Sequence, residues 1–217
     1  MVRIRALAVL GFAALGLGAC QTVPTEVASQ ANLPITTMMP AGSPEKDPPP
    51  GFVGFCLRFG DQCSSAKDEA PVVALTPAVW SEIAQVNRHV NADIWPEEDR
   101  THYGRAEYWT IPTDGYGDCD DYALTKRQQL AKLGLPMKAL RMAVAITPQN
   151  DRHAVLTVAT DHGDFVLDNL TDDIRGWEKT GYRWLARQDA ANDWGWVTLD
   201  SSMKGIGLAT AETGAQN

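Results

Sequence analysis

The sequence predicts one α+β domain over residues 51–202, with helices first and a mostly antiparallel sheet after them. Three observations predict it. Two segments with helical spacing of apolar residues lie in the first half of that range. Five short β-like runs fill the second half. The break between two of those runs, "DHGD", reads as a turn and leaves no room for a crossover helix.

Ahead of the domain, "MVRIRALAVLGFAALGLGAC" has two arginines, an uninterrupted apolar or small stretch from Ala6 to Ala19, and then a cysteine. A charged start, a short apolar core and small residues at the cut make residues 1–20 a secretory signal peptide. The run is too short to span a bilayer comfortably. Its end, "LGAC", resembles the lipobox of bacterial lipoproteins, in which Cys20 carries lipid and becomes the mature N-terminus. Ordinary cleavage near Ala19 is the other reading. With Gln21 following the cysteine, the lipid-anchored reading points to the outer membrane, and both readings point to the periplasm.

Residues 21–50 are poor in large apolar side chains and end in "AGSPEKDPPP", which predicts a semi-extended, proline-rich tether. Export sets the cysteine chemistry. Cys56 and Cys63, with six residues between them in "CLRFGDQC", can close a small disulfide loop in an oxidising compartment. No second Cys or His pair stands nearby to complete a zinc site. That leaves Cys119 unpaired.

"TPAVWSEIAQVNRHVNADI" sets Val79, Ile83, Val86 and Val90 at helical spacing after a Thr-Pro start, and predicts the first helix. Residues 118–133 predict the second. There Asp118 is the N-cap and Asp121 the capping-box partner, and Gly134 stops the helix before Pro136. The runs "KALRMAVAI", "HAVLTVAT", "FVLDNL", "YRWLARQ" and "WGWVTLD" predict strands, and residues 203–217, without periodicity, a flexible tail.

The chain carries a formal charge of −8, and from residue 21 onward 17 basic residues face 27 acidic ones. No patch suited to neutralising phosphate is visible, so nucleic acid is excluded as a partner. No histidine pair has ligand spacing, which argues against a metal-dependent hydrolase.

Cys119 starts a helix, where backbone N–H groups and the helix dipole favour a thiolate and offer donors to an oxyanion. His153 opens a strand, and Asp168 lies near the end of the next. Cys, His and Asp are the residue types of nucleophilic catalysis: thiolate, imidazole base, and the carboxylate that fixes its tautomer. With His162 and Gly163 as a two-residue hairpin loop, Asp168 falls opposite Thr157, on the same face as His153. That register leaves four residues at about 3.3 Å each between them, too far for a hydrogen bond without a bulge or a different loop. Three aspartates beside the thiol oppose its ionisation and pose a problem of their own. Trp177, Tyr182, Trp184, Trp194 and Trp196 suit either a peptide cleft or sheet packing, the commoner use.

"GYGDCDDYALTKRQQLAKLGLPMKALR", "HAVLTVATDHGDFVLDNL" and "GYRWLARQ", with upstream "GFCLRFGDQC" and "VNRHVNADIWPEEDRTHYGRAEYWTIP", resemble the bacterial transglutaminase-like cysteine proteinase family across about residues 51–190. The resemblance implies a papain-like fold of the transglutaminase type, with Cys119 as nucleophile, His153 as general base and acid, and Asp168 as orienting carboxylate. It implies an exported cysteine endopeptidase acting on an envelope or surface protein such as an adhesin, with biofilm control and a regulatory membrane protein as analogies. Acyl transfer to an amine by the same triad, and a non-catalytic module that binds an envelope protein, are the competing functions. It also implies calcium bound through Asp118 and Asp120, although Asp120 stands where the family commonly has glutamate. Trp109 is the residue suggested for the oxyanion, with Trp95 as its rival.

Overall fold

The structure, a computed structural model, describes residues 32–40, 42–45 and 47–199. The signal peptide, Cys20, the first part of the tether and the tail over residues 203–217 lie outside the described residues.

Elements follow the sequence closely from residue 76 onward. Strand β1 (Ser43–Glu45) and helix α1 (Pro50–Arg58) come first. Next are α2 (Pro77–Asp93), β2 (Trp95–Pro96), α3 (Asp99–His102), β3 (Tyr116–Gly117) and α4 (Cys119–Lys132). Strands β4 (Leu140–Ile146), β5 (Arg152–Thr160), β6 (Gly163–Leu167), β7 (Arg175–Gly176), β8 (Arg183–Gln188) and β9 (Trp196–Thr198) complete the domain. Helix α2 starts where the Thr-Pro pair predicts it, with the Thr76 hydroxyl accepting from the Val79 amide at 3.2 Å.

Among the described residues seven strands form one sheet, in the order β1-β9-β8-β4-β5-β6-β7, with every neighbouring pair antiparallel. Strands β2 and β3 form a separate short parallel pair. Helix α4 lies on β4 and β5, and α2 packs on α4. The main core fills the space between helices and sheet, with Phe52, Phe55, Ile83, Leu124, Leu140 and Leu156 fully buried. Such burial stabilises by about 1.5–3 kcal/mol per large apolar side chain.

The opposite face of the sheet has a smaller apolar cluster that includes Ala145, Val155, Val166 and Trp184, and Met39 closes it from the N-terminal side. This corrects the extent of the tether. The Thr36 amide donates to the His162 carbonyl (2.9 Å), the Asp164 amide to the Thr37 carbonyl (3.0 Å), and the Met39 amide to Asp164 Oδ2 (2.5 Å). Asp164 in turn pairs with Arg187 at 3.1 Å, both buried. Residues 32–40 are therefore packed on the domain, because one methionine fills a sheet face and backbone groups pair at a hairpin end. Helix α1 also begins inside the proline run: Pro50 sits in its first turn, where a missing N–H costs nothing.

Candidate active site

Cys119 is the first residue of α4. The entry to that helix is fixed by Asp121, whose Oδ2 accepts the Asp118 amide at 3.3 Å and whose Oδ1 accepts the Thr110 amide at 2.8 Å. One buried carboxylate thus caps the helix and ties it to the strand-like segment carrying Trp109 and Thr110.

His153 and Asp168 come from adjacent strand ends. The loop between β5 and β6 consists of Asp161 and His162, so Thr160 pairs with Gly163 and Leu156 with Leu167. The register differs by two residues from the one predicted with His162 and Gly163 in the loop. Continued one step past β6, it sets Asp168 level with Val155, two residues from His153. The side chains close the remaining gap: His153 Nε2 lies 2.8 Å from Asp168 Oδ1. Both are buried, His153 at 6% and Asp168 at 4% exposure. Asp168 Oδ1 also accepts the Leu170 amide at 3.0 Å, Oδ2 accepts the Tyr182 hydroxyl, and Asn91 of α2 holds its main-chain carbonyl at 3.0 Å. Burial pushes the Asp168 carboxyl up, but the His153 hydrogen bond and charge, the Leu170 amide and the Tyr182 hydroxyl outweigh it and hold it below the ordinary value.

Cys119 meets this pair through the backbone: the amide of Ala154, next to His153, donates to Cys119 Sγ at 3.4 Å. Cys119 and His153 line both lobes of one cleft, of about 210 and 520 Å³. The smaller lobe is closed by Pro49, Trp109 and Val144, and the larger by Pro96, Thr147 and Leu170. Burial, then Asp118, then Glu107 push the thiol well above its ordinary pKa, against the opposing pull of the Ala154 and Asp120 amides. The sequence-level conflict between thiol and aspartates is therefore present in space.

Trp109 lines the cleft, and its indole N–H donates to Glu107 Oε2 at 3.1 Å. Trp95 lines neither lobe and is 68% exposed. Of the downstream aromatics, Trp184 and Trp196 are core, Trp177 donates to Thr37, and Tyr182 reaches Asp168.

Asp118 belongs to two close groups. Its carboxylate, that of Asp120 and Cys119 Sγ lie within 4.8 Å of one another, and so do the carboxylates of Asp99, Asp118 and Asp121. Asp99 comes from α3, nineteen residues upstream of Asp118, and nothing local in the sequence marks it. Asp99 Oδ1, Asp118 Oδ1 and Asp120 Oδ2 are buried with no hydrogen-bond partner among the described residues. Burial is the main cause that raises the Asp99 carboxyl to about 6 and pushes Asp120 well up, with Asp118 adding to both. Uncommitted carboxylate oxygens that repel one another suit a hard cation such as calcium, while the thiol sulfur does not.

The upstream pair is joined: Cys56 and Cys63 form a disulfide at the end of α1. Cys119 is the free cysteine among the described residues, and half-buried. No helix among them is long and apolar enough to cross a membrane.

No protein of curated function matches the chain. Among solved structures, Legionella pneumophila LapG matches with 27% identity and a TM-score of 0.48, over 61% of this chain and 75% of that one. Its calcium-bound form matches with 26% identity and a TM-score of 0.48, over 57% and 71%. Its EGTA-treated form gives 27% and 0.45, over 52% of this chain, which spans 64% of that structure's length. The family profile of the bacterial transglutaminase-like cysteine proteinases matches residues 43–204. Reaching from β1 past β9 and enclosing the whole cleft, that match makes the chain a member of the bacterial transglutaminase-like cysteine proteinase family, the cysteine peptidases of transglutaminase-like fold.

Proposed function

We propose that the protein is an exported cysteine endopeptidase in which Cys119 is the nucleophile, His153 the general base and acid, and Asp168 the residue that orients the imidazole. The observation that carries this reading is the juxtaposition at one cleft of a 2.8 Å His153–Asp168 pair and a thiol whose sulfur accepts the very next amide, that of Ala154. With Nε2 engaged by the carboxylate, Nδ1 is the nitrogen left for the thiol.

In this mechanism His153 takes the thiol proton and Cys119 Sγ attacks a backbone carbonyl carbon. The carbonyl π electrons move to oxygen, which the first amides of α4 would stabilise, with the Trp109 indole available once it leaves Glu107. Collapse breaks the C–N bond as His153 gives its proton to the departing amine. Water, deprotonated by His153, then attacks the acyl-enzyme, releases the carboxylic acid and restores the thiol. A cleft whose two lobes both reach the thiol supports cleavage within a chain.

Asp118, with Asp120 on the nucleophile's side and Asp99 on the other, are the residues that would hold calcium. Positive charge there would offset the carboxylate field that opposes ionisation of Cys119. The charged, apolar, small-residue leader supports export to the periplasm, and its "LGAC" end supports lipid attachment at Cys20 and anchoring in the outer membrane. From Cys20 to the packed residues at 32, the chain can extend at most about 40 Å, which favours an envelope or surface protein, such as an adhesin, as substrate.

The test compares new protein N-termini in envelope and secreted fractions from cells carrying the wild type and Cys119→Ala, with and without calcium chelation. Termini that require the thiol support the endopeptidase and identify its substrate. Identical termini in both strains overturn it, and uptake of a labelled primary amine in their place would mark acyl transfer.

A further inference from the structure

Asp168 is held by more than its histidine. Its Oδ1 is shared between His153 Nε2 at 2.8 Å and the Leu170 amide at 3.0 Å. Among the described residues its Oδ2 has one partner, the hydroxyl of Tyr182. The ring of Tyr182 also meets the imidazole of His153 edge to face, with centroids 5.7 Å apart and planes at 82°. One side chain therefore touches both members of the pair, through its hydroxyl on one and its ring on the other.

The local chain is built to aim that side chain. Gly181 takes a left-handed conformation at φ 74°, which a residue with a Cβ adopts with strain. The Tyr182 amide then donates to the Thr180 hydroxyl at 3.2 Å, and that hydroxyl donates to the Trp177 carbonyl at 2.9 Å. Trp184 also packs against the Tyr182 ring, with centroids 5.8 Å apart and planes at 62°. A carboxylate held through a single oxygen can rotate about its Cβ–Cγ bond, and the imidazole would follow. Holding both oxygens fixes its plane.

We propose that Tyr182 is a positioning residue for the His153–Asp168 pair: its hydroxyl fixes the second oxygen of Asp168 and its ring backs the imidazole, so that His153 keeps one orientation in the cleft it shares with Cys119. This rests on the roles given above to Cys119 and His153. Tyr182 acts through these groups and lines neither lobe of the cleft. The charged and titratable groups acting on this pair are Lys126 from α4, toward Asp168, and Cys119 and Arg175, toward Tyr182.

The test uses the full chain with calcium present, as wild type, Tyr182→Phe and His153→Ala. Two quantities are read: the titration of the Asp168 carboxyl by carbon NMR, and the rate at which iodoacetamide alkylates Cys119 at neutral pH. Tyr182→Phe keeps the ring and removes only the hydroxyl, and circular dichroism checks that the fold is kept. The expected result is an Asp168 titration moved up by about one pH unit and an alkylation rate lowered about tenfold. A purely structural role for the ring would move neither. If Tyr182→Phe matches the wild type in both while His153→Ala slows alkylation, the positioning role is overturned and the proposed nucleophile–base pair stands. If His153→Ala alkylates like the wild type, the pair itself is overturned and the role of Tyr182 falls with it.

Discussion

His153 Nε2 and Asp168 Oδ1 meet at 2.8 Å although the register of their strands sets the two residues two positions apart. The pair forms because Asp168 lies just beyond β6, where the ladder no longer dictates direction and the Leu170 amide turns the chain back onto its carboxylate at 3.0 Å. Buried as they are, the two side chains satisfy each other first, and that mutual dependence makes the site vulnerable to a single change.

Asp168→Asn keeps the shape and removes the charge. Peptidase activity should fall by about 10²–10⁴-fold through loss of the fixed tautomer, with the circular dichroism spectrum retained. Stability should respond as well. The Asp168 carboxyl is held below its ordinary value in the folded chain, so the unfolded chain binds the more protons between the two values. Its contribution is present in full above the unfolded value and is lost as pH falls through the folded one. Followed from pH 6 downward, the wild-type midpoint should therefore fall relative to that of the variant, because the raised Asp99 and Asp120 carboxyls, which act in the opposite direction, are common to both chains.

Calcium should stabilise the folded chain. Asp99, Asp118 and Asp120 each bury a carboxylate oxygen with no partner among the described residues, and a cation in either acidic group would relieve Asp118 and one neighbour. A ligand at a hundredfold excess over its dissociation constant adds about 2.7 kcal/mol. The melting temperature should rise on addition of calcium, and this rise should be lost in Asp118→Asn, the residue common to both acidic groups. A midpoint indifferent to calcium and to chelator in the wild type would remove the metal from the account.

How much of this was legible in the sequence divides by distance along the chain. Thr76 and Pro77 announce α2, and Asp118 with Asp121 announce the start of α4, because caps act within three or four residues. The face shared by His153 and Asp168 also follows from alternation. The loop residues do not: with "DHGD" either two-residue choice is chemically reasonable, and the choice moves every pair by two. Helix α1 hid behind three prolines that read as a breaker, though one of them serves as its first turn. Asp99 and Tyr182 reach the site from 19 residues before Asp118 and 14 residues after Asp168. Met39 docks on a strand 125 residues away. Such partners are chosen by packing, and no local pattern records them.

Gly51 marks a close approach that fixes one wall of the cleft. A Cβ placed there would lie 2.3 Å from Trp109 Cδ1. The indole has little room to retreat, since Phe52 and Trp196 pack against it at 6.2 and 6.3 Å between ring centroids. Gly51→Ala should destabilise the domain by about 1–3 kcal/mol, or roughly 3–10 °C in Tm for a chain of this size. It should also shift the tryptophan fluorescence, which thermal melts recorded by emission would read in one experiment. Gly54→Ala, on the same helix with only Arg58 Nη1 within reach at 3.6 Å, is the control and should leave both unchanged or slightly improved.

Lys126 is the most exposed weakness in the energetics of α4, although no part of it meets solvent. It lies two turns along from Cys119, fully buried, and its Nζ has no hydrogen-bond partner among the described residues. Burial lowers its pKa from 10.5 to about 7, with Asp168 and then Asp172 pulling the other way. Between those values the unfolded chain carries the proton and the folded chain does not, so stability rises with pH across that window and the full cost of burying the charge is felt below it. At 1.36 kcal/mol per pH unit, the wild type should gain about 2–3 kcal/mol between pH 7 and pH 9 from this group. Lys126→Met keeps the length and the packing and removes the titration. Urea denaturation at pH 6, 7, 8 and 9 should show the wild type gaining that much on the variant as pH rises, the opposing Asp121 carboxyl being common to both, with the variant the more stable of the two at pH 6. Parallel curves would mean that Lys126 keeps its proton throughout, with Asp168 and Asp172 sufficient to hold it. In that case the variant should be less stable at every pH, because it would remove the positive charge acting on the buried Asp168 and the exposed Asp172 carboxylates.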